Sequence, residues 1–359
     1  MLIFITRRTL LAIPVLLGIM IVVFLLMRAI PGDPCTSMLG ERATPEACVE
    51  FNEANGLNEP IYVQLSIYMK NVLTFNLGES VRFSRPVTQL LIERLPLTTE
   101  LAMSALFLAI VGGVPLGIIA ARKHNTIVDG GTMAFANMGV SMPVFWLGLM
   151  LAYLFAVVLK GTPLALPPGG RLSAGVFPIP YYEVWNWNLT EGSFWSKFHE
   201  YVANHYILNT FITAQWSVFW DLVRHMILPA VALATIPLAI IARITRSSLL
   251  EAMNKDYIRT ARAKGAKERR VVTRHALRNS LLPVVTIIGL QMGLLLGGAV
   301  LTETVFKLAG VGTGIFDAII GRDYAVVQGF TVVIAAGYVI VNLLVDLSYG
   351  YLDPRIRQK

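Results

Sequence analysis

The side chains that could do chemistry are few and scattered. His124, His199, His205, His225 and His275 stand far apart, and none falls in an H-E-x-x-H or similar metal-ligand spacing, so no metal site is expected. No G-x-x-x-x-G-K-[ST] phosphate loop and no G-x-S-x-G nucleophile elbow occurs, which leaves no nucleotide cradle or hydrolase site of those kinds. Cys35 and Cys48 are the two cysteines, too few for a four-cysteine zinc site. What remains is charge. Residues 243–278 hold eleven Lys/Arg and three Asp/Glu, so the whole net charge of +8 lies in one segment and the remainder is neutral. That segment lies between two apolar stretches without the aromatic interleaving that stacks on bases, so nucleic acid is not the expected partner. An inner loop obeying the positive-inside bias is.

The elements that must position this loop follow from composition. Of 359 residues, 55% are apolar and 14% charged, with mean hydropathy +0.63. Soluble domains carry about a quarter charged residues, so the chain reads as a membrane protein. Six uncharged stretches, 9–27, 101–121, 130–159, 226–242, 281–302 and 324–345, are long enough or nearly so to cross about 30 Å of hydrocarbon. They are expected to be helices, because an isolated segment in lipid must satisfy its own backbone hydrogen bonds. Arg7 and Arg8, Arg122 and Lys123, the basic segment, and Arg355, Arg357 and Lys359 all fall on one side if there are six spans, with both termini cytoplasmic. The start imitates a signal peptide, but no small-x-small cleavage site follows, so an uncleaved first helix is expected. The aromatic stretch 206–220 is short for a span and is expected to lie as an interfacial or loop helix.

The resulting division is 1–30 (first span), 31–100 (outer loop), 101–121, 122–133 (inner loop), 134–159, 160–225 (outer insertion), 226–246, 247–280 (inner loop), 281–302, 303–323 (short outer helix), 324–347 and 348–359 (inner tail). Cys35 and Cys48 both lie outside. A disulfide, which would stabilise by about 3 kcal/mol on the chain-entropy reckoning, and two free thiols are equally compatible with the sequence. The insertion is rich in Pro, Gly and Trp around 163–195, so little regular structure is expected there. The span centres carry no charge, which argues against an ion-driven carrier. Arg28 and Asp346 lie near helix ends, where Arg28 can snorkel and Asp346 can pair with the basic loop or reach water.

The basic loop runs through Glu251, Asp256, Tyr257, Ile258, Arg259, Thr260, Ala261, Arg262, Ala263, Lys264, Gly265 and Ala266, and later Arg274-His275-Ala276-Leu277-Arg278-Asn279 and Pro283. Two short helices across the membrane surface are expected, about 251–266 and 267–279. Ala261 and Gly265 would share a face that lets a partner approach closely, and Gly265 can also end the first helix. The segment resembles the coupling loop of ATP-binding-cassette importer permeases. It departs from their Glu-Ala-Ala pattern with Arg259-Thr260-Ala261, and has 18 residues instead of 13 from Gly265 to Pro283, in the manner of the dipeptide and oligopeptide branch. Ile30-Pro31-Gly32-Asp33-Pro34, Ser141-Met142-Pro143-Val144-Phe145-Trp146, Leu301-Thr302-Glu303-Thr304-Val305-Phe306, Arg322-Asp323-Tyr324 and Asn342-Leu343-Leu344-Val345-Asp346 resemble the same branch. The likeness thus runs over nearly the full chain and is least in 160–220.

The resemblance implies an all-α polytopic protein with the six-helix type I permease fold, in a bacterial inner membrane. It implies a homologous second permease, two ATPase subunits that hold ATP and Mg, and an external solute-binding protein docking on the outer loops, while this chain binds no cofactor and is not an enzyme. Within that reading the cargo is a di- or oligopeptide, with nickel, glutathione or an oligosaccharide as alternatives, and a secondary transporter or channel as the reading from another class. Residues 251–266 would be the coupling helix, with Arg259, Arg262 and Lys264 meeting acidic groups of an ATPase or anionic lipid. Candidates for the translocation pathway are Asn137, Ser141, Pro143, Gln291 and Glu303. The glycines around Gln291 serve helix packing or a pore, and an amide in hydrocarbon needs partners or a wet cavity. Residues 310–320 would be a scaffold piece or outer gate.

Overall fold

The computed structural model describes residues 2–29, 35, 43–54, 56–80, 82–190, 192–321 and 323–352. Pro31-Gly32-Asp33-Pro34, Arg322, the basic tail with Arg355, Arg357 and Lys359, and the side chain of Asp346 lie outside the described residues. Helix α1 (Leu2–Ala29) leads to α2 (Pro45–Ala54) and α3 (Ile61–Leu73), then a small hairpin of β1 (Glu79–Ser80) and β2 (Arg85–Pro86). The long helix α4 (Val87–Arg122) is followed by α5 (Ile127–Ser141) and α6 (Val144–Ala152), the latter widening into a π-helical turn at Tyr153–Val158. The insertion holds α7 (Tyr181–Val184), α8 (Phe194–Ala203) and α9 (Tyr206–Ile212). Then come α10 (Trp216–Met253) and α11 (Asp256–Ala263). Helix α12 starts as Glu268–Arg270, passes a π-helical turn at Val271–Ala276 and continues as Leu277–Gly298. Short α13 (Val300–Val305) and α14 (Val311–Ile320) precede α15 (Tyr324–Leu352).

Five of these helices are long and apolar enough to cross a membrane, and α5 with α6 makes a sixth crossing if the bent pair is one span. The expected span over 130–159 is a broken one, and its halves meet at 97°. The cause is local. A residue before proline is pushed out of the helical region, and Met142 is extended at φ −105°, ψ 133°, with Pro143 at φ −59°, ψ 130°. The expected boundaries of spans two and four are also too short. At 1.5 Å per residue, α4 with 36 residues is about 54 Å long, well beyond the hydrocarbon thickness. Helix α10 has 38 residues, and Trp216 and Trp220 form its first turns. The stretch 206–220 is thus not one interfacial helix; it bends after α9, where Ala214 takes φ +55°.

Helices α4 and α10 pack along each other at the centre. Water supplies little drive for helix association in lipid, so close backbone approach through small side chains takes its place. Ala102, Ala105 and Ala109 of α4 and Ala232 and Ala242 of α10 are buried at or below 2% exposure. A Cβ placed on Gly113 would lie 2.7 Å from the Leu238 carbonyl, and one on Gly117 2.5 Å from the Ala242 carbonyl. Helix α12 packs on both, α15 on α12 and α1 on α15, while α5 packs on α4 and α10 and α6 on α10.

The outer part is tied to the same two helices. Buried Glu100 of α4 accepts from Arg171 at 2.8 Å and from the Ile207 amide at 2.7 Å, and the Arg171 guanidinium sits 3.6 Å over the Tyr206 ring. Residues 160–193 contain one regular element among those described, the four-residue α7. Cys35 and Cys48 are joined as a disulfide, with Cα atoms 5.4 Å apart.

Replacing Gly117 with leucine is expected to cost about 1–3 kcal/mol by overpacking the α4–α10 contact. Gly131→Ala, where nothing lies within 4 Å of the added carbon, is expected to be neutral or to stabilise by about 1 kcal/mol through helix propensity. Thermal unfolding of the purified protein checks the pair; equal stability of the two variants would contradict this packing.

Candidate functional site

The basic loop is built differently from two surface helices. Glu251 lies in the last turn of α10, and the chain breaks at Asn254 and Lys255 before α11. The second expected helix is no separate element, since it is continuous with span five through α12 and places Pro283 inside that helix. One short helix, α11, therefore crosses between two long ones. Its inner face is held by Ile258, which is fully buried among Ala121 of α4, Leu249 and Ala252 of α10, and Val271, Val272 and Ala276 of α12. Burying an isoleucine contributes about 1.5–3 kcal/mol, so α11 is anchored at one point, in a cluster to which three long helices contribute.

The helix ends in a Schellman cap. The Gly265 amide donates to the Arg262 carbonyl at 2.9 Å and the Ala266 amide to the Ala261 carbonyl at 3.2 Å. Gly265 takes φ +77° with open space around it, so its role here is conformational and not the close approach expected from spacing. Ala261 also turns inward, packing with Ala266 on the Ile258 cluster. The exposed face presents Tyr257, Arg259, Thr260, Arg262, Ala263 and Lys264. Arg262 is already engaged, its Nε and Nη2 donating to Glu268 at 3.1 and 2.8 Å. Arg259 meets Asp256 in an exposed pair at 3.3 Å, an interaction of the kind worth about 0–1 kcal/mol.

The pathway candidates separate. Asn137 and Ser141 lie one turn apart on the exposed side of α5, and exposed Pro143 begins α6 at the break. Gln291 points into the protomer on the buried side of α12, in line with Val284 and Leu295. Of the glycines beside it, Gly289 and Gly293 lie against Val345 and Tyr338, closer than a side chain would allow. Glu303 is fully buried; Thr98 donates to it at 2.6 Å and the Thr313 amide at 2.9 Å, at the start of α14. Burial pushes the Glu303 carboxyl above the ordinary carboxylate range, against the pull of the Thr98 hydroxyl and the amides of Thr313 and Gly312. This carboxyl is an internal cap for α14.

A further junction escaped sequence reasoning. Asp129 in the first turn of α5 is 5% exposed and takes both Nε and Nη2 of Arg246 at 2.7 Å each. His124 and the Asn125 amide complete it at 3.3 and 3.0 Å. The available signal was Thr126-x-x-Asp129, a capping pattern at a helix start; nothing in the sequence pairs it with an arginine 117 residues away.

Residues 113–358 match the family described as binding-protein-dependent transport system inner membrane component, and residues 1–102 match the N-terminal part described for such membrane components. The chain belongs to this family. It is 44% identical over 357 residues to the dipeptide transport system permease protein DppB of Alkalihalophilus pseudofirmus, covering 99% of this chain and 100% of that protein. With DppB of Escherichia coli K12 it shares 42% over 360 residues, all of both chains, and with the oligopeptide transport system permease protein AppB of Bacillus subtilis 38% over 354 residues, 98% of each. As a binding-protein-dependent permease it is a multi-pass, non-catalytic inner-membrane component of an ABC transport complex that includes ATPases and a binding protein. Helices α10 and α11 lie within the matched regions, as does α4 apart from residues 103–112.

Asp129→Asn is expected to destabilise the purified permease by about 2 kcal/mol, below the loss for a fully buried pair because Arg246 is partly exposed. A double-mutant cycle with Arg246→Gln checks it: strong coupling is expected, and additive losses would contradict the pairing.

Proposed function

We propose that this chain forms, with a homologous second permease, the pathway of an importer of dipeptides and short oligopeptides, and that α11 with its Gly265 cap docks on one of two separate ATPase subunits. The reading of cargo is supported by end-to-end similarity to permeases named for dipeptide and oligopeptide transport. The reading of coupling rests on one observation, the burial of Ile258 against three long helices while the opposite face of α11 stays exposed. A helix held in this way moves with α4, α10 and α12 when pushed. Tyr257, Arg259 and Lys264 face the ATPase, Arg262 holds the cap through Glu268, and the positive potential of the loop favours an acidic groove. ATP and Mg act on the partner subunits. An external solute-binding protein delivers cargo to the outer loops, and this chain contributes the passage.

In proteoliposomes holding the complete complex, ATP-dependent uptake of labelled trialanine is expected. Accumulation of nickel, glutathione or an oligosaccharide with no peptide uptake would overturn the assignment of cargo. A Gly265→Val chain, strained in the left-handed region by about 1–2 kcal/mol, is expected to insert and assemble yet import at least tenfold less peptide per ATP hydrolysed. Assembly with a normal ratio would overturn the coupling role of the cap.

A further inference from the structure

The inner end of α10 carries two arginines one turn apart in different situations. Arg246 has its charge met by Asp129. Arg243 is exposed, and its Nη2 donates at 2.9 Å to Oδ1 of Asn137, a neutral acceptor; among the described residues it has no carboxylate partner. A guanidinium carries five N–H donors, so most of those on Arg243 remain open, and the Asn137 amide nitrogen adds more. Both groups lie on a flank of α5 whose exposed residues Gly130, Ala134, Asn137 and Ser141 recur at spacings of four, three and four. The flank runs deep. A Cβ on Gly139 would lie 2.6 Å from the Thr235 Cβ, so this part of α5 is level with the middle of the uncharged stretch of span four, and Ala136 clusters with Ala239 and Ala242. Small and polar residues at that depth suit water or a polar guest better than acyl chains.

The geometry points to Arg243, with Asn137, as a binding station for an anionic oxygen group, the terminal carboxylate of the transported peptide, at the inner end of a polar flank that leads from the break at Pro143. This rests on the peptide reading above. Guanidinium and carboxylate match in donor geometry and charge. A lipid phosphate offers Arg243 and Asn137 the same oxygen chemistry, but it has no use for Ser141 further along the flank.

The test uses the complete complex in vesicles of zwitterionic lipid and in vesicles containing phosphatidylglycerol. Arg243→Gln is expected to lower ATP-driven trialanine uptake at least tenfold in both, with Arg243→Lys in between. Undiminished uptake by Arg243→Gln overturns the station, and a loss confined to the anionic vesicles assigns Arg243 to lipid and overturns it too. A parent complex that imports no peptide overturns the peptide reading itself, which is a separate outcome. Should Arg243→Gln fail to assemble, Ala134→p-benzoylphenylalanine, one turn from Asn137 on the same exposed flank, decides under turnover with radiolabelled trialanine: label on the permease supports the station, and cross-linking to lipid alone overturns it.

Discussion

Two helices in lipid have no reason to pair unless their backbones can come close, because acyl chains solvate leucine as well as another leucine does. In this permease the approach of α4 to α10 meets that constraint, through Gly113 and Gly117 against the carbonyls of Leu238 and Ala242. Each functional part then hangs from one or both helices. The insertion is tied to Glu100 of α4 through Arg171 and the Ile207 amide. The broken span is tied to Arg246 of α10 through Asp129, and α11 is held by Ala121, Leu249 and Ala252. A shift of the pair is therefore felt at both membrane faces.

The arrangement divides labour between stiffness and interruption. Helix α11 is short and capped, buried on one face and open on the other, which suits a part that receives a push without absorbing it. The span of α5 and α6 is the opposite: it stops and turns 97° at Met142 and Pro143. Backbone freed from helical pairing inside a membrane is tolerated where it is covered by protein or lines a cavity. The exposed polar flank of α5 leads to that point.

Much of this was legible in the sequence and some was not, for physical reasons. Charge-free stretches revealed the spans because hydrocarbon penalises charge wherever it falls, and the basic loop stood out by the same rule. Boundaries were lost where helices outrun the bilayer, since residues 87–100 and 216–225 are helical but carry polar and charged side chains. Pro143 marks a break, yet Pro115, Pro229 and Pro237 stay inside helices, so the residue alone does not tell a break from a tolerated proline. Gly265 was singled out both for its spacing and as a helix end, and its left-handed backbone angle bears out the second reading and not the first. Arg246 was counted as one more loop cation, and Glu303 as a pathway group. Their partners, Asp129 and Thr98, are far off in sequence, and tertiary pairing of that kind leaves no local pattern.

If α11 and the inner ends of the long helices move as one body, the distance between them is unchanged by ATP. Pulsed electron spin resonance between labels on Lys123→Cys and Thr260→Cys, both at exposed positions, measures it directly in the complete complex with and without ATP. The native cysteines are already joined to each other and do not compete for label. The same distance is expected in both states. A change of more than roughly one helical turn, about 5 Å, would show that α11 hinges at Asn254 and Lys255, and would contradict it.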